Sequence, residues 1–293
     1  MRILLFGANG QVGTELRAID WGEDTELVAL GRQQSDLLVS GNAGRVIDKE
    51  QSDLVINASA YTAVDKAESE PDLALAINAR APGEMADACS KQGIPLIHIS
   101  TDYVFDGSKQ GPYVEDDPVV PLGAYGRSKE TGERAVREAL GSHIILRTSW
   151  VFSAHGQNFV KTMLRLGAER DELGIIDDQR GCPTAAAHIA QVIAAITRQI
   201  LEGKCIPWGT YHYCGTGETT WFGFACAIFE AAGSYIESPP NVKPISTDDF
   251  PLPAKRPANS VLECRKIETA FGLRLPTWRD GLANVIDQLY GNP

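Results

Sequence analysis

Met1-Arg-Ile-Leu-Leu-Phe6 runs straight into Gly7-Ala-Asn-Gly10-Gln-Val-Gly13. An apolar run of strand length that meets glycines three residues apart reads as a first β-strand turning into a helix. The glycines have separate tasks. Gly7 permits a tight turn, Gly10 lets backbone approach a pyrophosphate, and Gly13 allows close packing of helix on strand. The helix start then offers free N–H groups and a positive dipole end to an anion. Glycine suits any tight βα turn, so the pattern alone is weak. Its place directly after a buried-type strand favours a dinucleotide site.

Working outward, strand-like and helix-like stretches alternate. After Ile3–Phe6, strands are expected at Glu26–Leu30, Asp53–Asn57, Ile94–Ile99 and His143–Arg147. Helical periodicity covers Pro71–Gln92 and Ala124–Leu140. This alternation predicts an α/β protein with a doubly wound parallel sheet, a Rossmann fold. Beyond Trp150 the rhythm changes. Helices are expected over Gly156–Ala168, Ala185–Leu201, Trp221–Ala232 and Trp278–Leu289, with short strands at Leu173–Ile176 and Tyr211–Cys214. Ser238–Pro257 holds six of the 16 prolines and reads as a loop suited to walling a pocket. The expected division is a nucleotide-binding domain over 1–150, with a returning segment near 177–214. A smaller C-terminal α/β substrate domain takes 151–176 and 215–293.

The chain has 293 residues, 43% of them hydrophobic and 22% charged, enough for a large core. Its net charge of -11 argues against nucleic-acid or anionic-membrane binding, both of which need a basic face. No apolar stretch approaches a membrane span, and the first residues are spent on a strand rather than a leader. Cys89, Cys182, Cys205, Cys214, Cys226 and Cys264 form no CxxC pair and read as reduced thiols of a cytoplasmic protein. His212 and Cys214 lie two apart with nothing nearby to complete a metal shell.

Tyr125-Gly-Arg-Ser-Lys129 places a phenol and an ammonium one helical turn apart on one face. Such a lysine is expected to lower the phenol pKa and let it exchange a proton with a substrate carbonyl. Thr101 stands at the expected C-terminal end of the fourth strand, the edge where open α/β sheets bind ligands. Its hydroxyl can bond the oxygen that Tyr125 protonates. Each feature alone has a bland reading, a half-buried Tyr or a polar strand end. Their coincidence with the glycine turn favours catalysis.

Gly7-x-x-Gly10-x-x-Gly13, Thr101, Tyr125 and Lys129 together resemble the extended short-chain dehydrogenase/reductase family. Longer stretches resemble its dTDP-sugar 4-keto reductases: Asn57–Glu68, Ser100–Gly107, Arg147–Phe152, Asn158-Phe159, Asp178-Gln179, Gly181–Thr184 and Arg256–Ser260. The resemblance covers nearly the whole chain. It implies NAD(P)H-dependent reduction of a dTDP-linked 4-keto-6-deoxy sugar, dTDP-6-deoxy-L-lyxo-4-hexulose, to dTDP-L-rhamnose. It implies Thr101, Tyr125 and Lys129 as catalytic. For the cofactor it implies Gly7, Asn9, Gly10, Gln11, Val12, Gly13, Arg32, Asp36, Leu37, Ala58, Ser59 and Ala60, with Tyr125 and Lys129. For the substrate it implies Val64, Asp102, Tyr103, Trp150, Asn158, Arg256 and Asn259. An arginine fork such as Arg256 matches phosphate oxygens, and its bland reading is a structural salt bridge. Related 4,6-dehydratases carry Thr-Asp-Glu where this chain has Thr101-Asp102-Tyr103. The eliminating pair is thus incomplete, which favours reduction.

Arg32 follows the second strand, and the next acid is Asp36. This favours NADPH, with NADH possible and a merely solvated Arg32 as the alternative. Some relatives bridge a dimer with magnesium. Glu15 matches one of their glutamates, but Ala185-Ala-Ala-His188 replaces another. No metal is therefore expected, and the chain is expected to be a monomer or weak homodimer. Two other functions stay open on sequence alone. One is an NADP-binding regulatory subunit like that of methionine adenosyltransferase. The other is reduction of a different nucleotide-linked 4-keto sugar.

Overall fold

The computed structural model describes residues 1–291. The first half alternates β1 (Arg2–Phe6), α1 (Gln11–Ala18), β2 (Glu26–Leu30), α2 (Asn42–Glu50) and β3 (Leu54–Asn57). Short α3 (Val64–Ala67) and α4 (Pro71–Leu75) lead through a π-helical turn, Ala76–Arg80, into α5 (Ala81–Gln92). Then come β4 (Leu96–Thr101), α6 (Ala124–Ala139) and β5 (His143–Thr148). The second half holds β6 (Val151–Phe152), α7 (Phe159–Glu169), β7 (Glu172–Ile176), β8 (Arg180–Gly181) and β9 (Thr184–Ala185). It continues with α8 (Ala186–Leu201), β10 (Gly209–His212), β11 (Thr219–Thr220), α9 (Trp221–Ala231) and β12 (Asn241–Ile245). Helices α10 (Arg265–Phe271) and α11 (Trp278–Tyr290) close the described chain.

Six strands form one parallel sheet in the order β10-β5-β4-β3-β1-β2. The expected Rossmann sheet is present. Its strands alternate their faces with period two. Ile3 and Leu5 pack toward α1 and α8, whereas Leu4 and Phe6 pack toward α2 and α5. The chain leaves β1 for β2, then returns to the other side of β1 as β3. A crevice opens at that reversal beyond the strands' C-terminal ends, where ligands of such sheets bind.

A second core gathers Phe152, Val160, Leu173, Phe224, Phe229, Trp278 and Ile286 from β6, α7, β7, α9 and α11. Val261, Leu262, Ile267 and Phe271 join the sheet's core instead, although they fall within the expected substrate segment 215–293.

Two local differences from the sequence reading have physical causes. Helical periodicity over 71–92 is interrupted by the π turn. Pro82 lacks an N–H and would press its ring on the carbonyl of Asn78, and a widened turn relieves that clash. The proline-rich stretch expected as loop contains β12, parallel to β7. Asn241 N–H bonds Asp171 and the Ile245 carbonyl accepts from Asp177. Odd-numbered residues therefore face β7, and Pro244, lacking an N–H, points to the open edge where a sheet tolerates it.

Candidate active site at the carboxyl edge of the sheet

The glycine turn is built as its spacing demands. Gly7 has φ +87°, and a Cβ there would fall 2.5 Å from Ser59 N. A Cβ on Gly13 would sit 2.0 Å from the Gly7 carbonyl oxygen. Helix α1 starts with no side-chain cap and no acid in its first turn, so its leading N–H groups have no intrahelical partner. A diphosphate fits that end by charge and by hydrogen bonding. Ala58, Ser59 and Ala60 follow β3; the backbone of Ala58 and Ser59 lies against Gly7, and Ala58 N–H donates to the Phe6 carbonyl.

Beside the turn lies an open depression of about 650 Å³ lined by Asn9, Arg32, Gln33 and Asp36. Arg32 reaches into solvent, 76% exposed, and stands 4.0 Å from Asp36. Two residues expected at the cofactor have buried side chains. Val12 and Leu37 are buried, their side chains spent on the two cores flanking the sheet. Gln11 turns away from the turn: its Oε1 accepts from Ser153 Oγ at 2.9 Å and from Asn158 Nδ2 at 3.0 Å.

Thr101 ends β4 opposite Thr148 of β5. Its hydroxyl donates to Asp102 Oδ1 at 2.9 Å, accepts from Tyr103 N–H, and lies against the Tyr125 phenol. Tyr125 stands in the first turn of α6, whose start is held by Glu68 Oε1 accepting from Ala124 N–H at 2.7 Å. Tyr103 meets the Tyr125 ring edge-on, and Val64, Tyr61 and Tyr103 wall it in. Burial pushes the Tyr125 phenol up to about 12, aided by Asp102 and opposed by the Thr101 hydroxyl.

The lowering by Lys129 expected from their spacing does not set this value. Lys129 is itself buried, 1% exposed. Its Nζ donates to the Ile99 carbonyl at 2.7 Å and lies 3.5 Å from His98 Nε2.

Asp102 is fully enclosed. Burial drives its carboxyl up to about 7, against the hydroxyls of Ser260 and Thr101. The folded chain therefore holds this proton more tightly than the unfolded one. That contribution to stability falls as pH rises from the ordinary carboxylate range through 7. Asp102→Asn, neutral at every pH, removes the slope. Relative to wild type, the variant's stability should improve between pH 5 and pH 8 by on the order of 2 kcal/mol. Thermal melts at the two pH values read it, and a constant offset would mean that Asp102 ionises normally.

Three expected substrate residues are already engaged within the chain. Arg256 forks onto Asp65 with Nη2–Oδ2 at 2.8 Å and Nη1–Oδ1 at 3.1 Å, the salt bridge of the bland reading. Asn259 donates to the Lys109 and Gly111 carbonyls and accepts from Val261 N–H, so its amide is spent on a loop. Asn158 caps α7 by accepting from Lys161 N–H. Trp150, at φ +48°, stacks on Trp221 at 3.6 Å. The sequence does not single out Trp221, Asp65, Glu68, Asn57 and His98, and the structure places them in contact with or beside expected site residues. His98 carried a signal, a polar side chain inside the apolar run Leu96–Ile99.

Glu15 pairs with His155 at 3.5 Å. His188 is buried beside Gly281 of α11. Among the described residues no group of three or more His, Cys, Asp or Glu is placed to hold a metal, and no helix is long and apolar enough to cross a membrane. The six cysteines are free thiols, with Cys214 and Cys264 sulfurs 3.5 Å apart.

A parallel sheet with a glycine turn at its reversal and a Thr, Tyr and Lys brought to its carboxyl edge is the architecture of extended short-chain dehydrogenases/reductases. Comparison with known proteins narrows the class. Residues 1–290 match the family described as RmlD substrate binding domain. A dTDP-4-dehydrorhamnose reductase of Sinorhizobium fredii is 44% identical over 98% of this chain and 97% of its own. The Escherichia coli K12 enzyme of that name is 41% identical over 99% and 98%. The crystal structure of a Clostridium acetobutylicum dTDP-4-dehydrorhamnose reductase superposes with TM-score 0.91 at 38% identity, covering 99% of both chains. That of Bacillus anthracis, in complex with NADP, gives 0.90 at 36% identity, covering 98% and 99%. The chain belongs to the RmlD substrate-binding family, that of the dTDP-4-dehydrorhamnose reductases.

Proposed function

We propose that this protein is a cytoplasmic NADPH-dependent reductase of the 4-keto group of dTDP-4-dehydro-L-rhamnose, yielding dTDP-L-rhamnose. The observation that carries the reading is the Thr101 hydroxyl against the Tyr125 phenol, with Lys129 one helical turn on, at the sheet edge that also carries the glycine turn. NADPH, when bound, supplies the hydride. The chain supplies binding, orientation and a proton. The first turn of α1 and the Gly7–Ser59 contact cradle the diphosphate. Thr101 orients the ketone. As charge develops on its oxygen, the Tyr125 phenol donates its proton there. Lys129 supports that transfer and holds the nicotinamide ribose.

Val64, Tyr103 and the Trp150–Trp221 stack wall the sugar, whereas Asp102, enclosed, acts through its hydrogen bond with Thr101. Arg256 acts here through its pair with Asp65, which fixes the segment after β12 against α3. The sheet domain serves the cofactor and the second core serves the sugar nucleotide. The regulatory-subunit reading predicts an eroded trio, and the sequence carries all three of Thr101, Tyr125 and Lys129. The deciding assay follows NADPH consumption with the dTDP-4-keto sugar generated in situ. No turnover with this sugar, but turnover with another nucleotide-linked ketone, would move the substrate and keep the class. Sedimentation with and without EDTA checks that the working unit is a monomer or weak homodimer free of bridging metal.

Arg32 lines the depression and is 76% exposed, which supports a role in reading a 2′-phosphate. Arg32→Ala should weaken NADPH binding by on the order of 1.5–3 kcal/mol and NADH hardly at all. Titration with both cofactors measures it. Equal weakening would return Arg32 to the role of a solvated charge.

A further inference from the structure

Lys129 has a polar neighbour that the reduction leaves without a task. His98 lies wholly buried on β4. Asn57 Nδ2 is 3.0 Å from its Nδ1, and Lys129 Nζ is 3.5 Å from its Nε2. The direction of donation along this chain is fixed at its far end. The backbone N–H of Ser59 donates to Asn57 Oδ1 at 3.0 Å, and the Ser59 hydroxyl donates to the same oxygen. A backbone N–H can only donate, so that amide atom is the oxygen and its partner Nδ2 has only hydrogens to offer. His98 Nδ1 must then be the lone pair. The neutral ring carries its one proton on Nε2, aimed at Lys129. An ammonium there has three donors and no acceptor, and it would meet that N–H head-on. An amine accepts the proton of His98 with its lone pair and still donates to Ile99.

We propose that His98 is a positioning residue: locked in one tautomer by Asn57 and Ser59, it presents an N–H to Lys129 and favours the amine over the ammonium there. The inference rests on the reading of Lys129 as part of the reducing site. Other charged and titratable groups surround the pair. Tyr125 and Glu133 share helix α6 with Lys129. Glu133 favours the ammonium, but Arg147 of β5 grips it through Nε at 2.9 Å and Nη2 at 2.7 Å, and Arg137 bonds it as well. Asp102 follows β4, and His143 opens β5 near His98. Burial acts in the same direction as the hydrogen bonds. It brings Lys129 down to about 8 and holds His98 well below its ordinary value. With a midpoint near 8, Lys129 gives up its proton just above neutrality rather than in the ordinary lysine range.

The test is direct. Protein labelled with 13C at lysine Cε is titrated by NMR without added cofactor, the Lys129 signal being assigned by its loss in Lys129→Met. The expected midpoint lies near 8, clearly below the surface lysines. In Asn57→Asp the carboxylate accepts from both Ser59 and Nδ1–H. The tautomer reverses, Nε2 offers a lone pair, and the midpoint should rise by at least about one pH unit. His98→Gln, whose amide can turn its oxygen to the lysine, should raise it too. The alkaline limb of kcat/KM should move up alongside in both variants. Lys129 titrating with the surface lysines in wild type, or at one midpoint in all the proteins, overturns the proposal. So does a fall in kcat/KM with the pH profile unmoved. A shifted midpoint in a protein that does not reduce the sugar would leave His98 in its role and remove the proposed function. A working reductase with an unshifted lysine would do the reverse.

Discussion

Tyr125→Phe should lose between about 10²- and 10⁴-fold in kcat, the ordinary worth of a positioned general acid, while the NADPH dissociation constant stays close to wild type. Hydride delivery to a ketone leaves an alkoxide that must be protonated. The phenol is the hydroxyl held against Thr101 in an enclosed pocket. Because burial raises it to about 12, the proton is in place throughout the neutral range and is offered only to a strong base such as the developing alkoxide. The substitution removes one oxygen and leaves the ring's contacts with Tyr103 and Val64, so the fold should hold. Steady-state rates and a cofactor titration separate the two effects. Retention of more than about a third of wild-type kcat would identify another acid.

Gly13→Ala should be among the most damaging single methyl groups in the nucleotide half. Its Cβ would stand 2.0 Å from the Gly7 carbonyl oxygen and 2.9 Å from Ala8 Cα, both backbone atoms that no rotamer change can move. Either α1 lifts from β1 or the turn opens, and both displace the N–H groups that would hold the diphosphate. Loss of NADPH affinity should exceed about 100-fold, with a lower melting temperature, since overpacking of this kind costs typically 1–3 kcal/mol. For stability, Gly10→Ala is the internal control, because its added Cβ meets no protein atom closer than 3.4 Å. An equal fall in melting temperature in the two variants would mean that the turn yields.

Much of this was legible along the chain because the signals are local. Periodicity and glycine spacing draw the sheet and its first turn, and Thr101, Tyr125 and Lys129 declare themselves through strand end and helix face. What stayed hidden depends on partners distant in sequence. Arg256 reads as a phosphate fork until Asp65, nearly two hundred residues earlier, is found beneath it. Asn259 reads as a ligand contact until its amide is found on Lys109 and Gly111. The phenol's pKa cannot come from spacing alone, since enclosure outweighs a lysine that faces Ile99 instead. Helices α2 and α10 have only nine and seven residues, too short to hold in isolation, and packing on the sheet stabilises them.

The amide of Gln11 gives the two halves a common hinge pin. One oxygen, at the start of the helix that would face the diphosphate, is shared by Ser153 and Asn158 at the entrance to the second core. Any ligand that draws this helix start toward itself tugs on the loop framing the sugar side, and a sugar nucleotide that reorients the loop tugs back. Thermodynamic reciprocity makes the two effects equal in free energy. A coupling carried through this amide would show as one and the same factor in both affinities, whichever molecule arrives first.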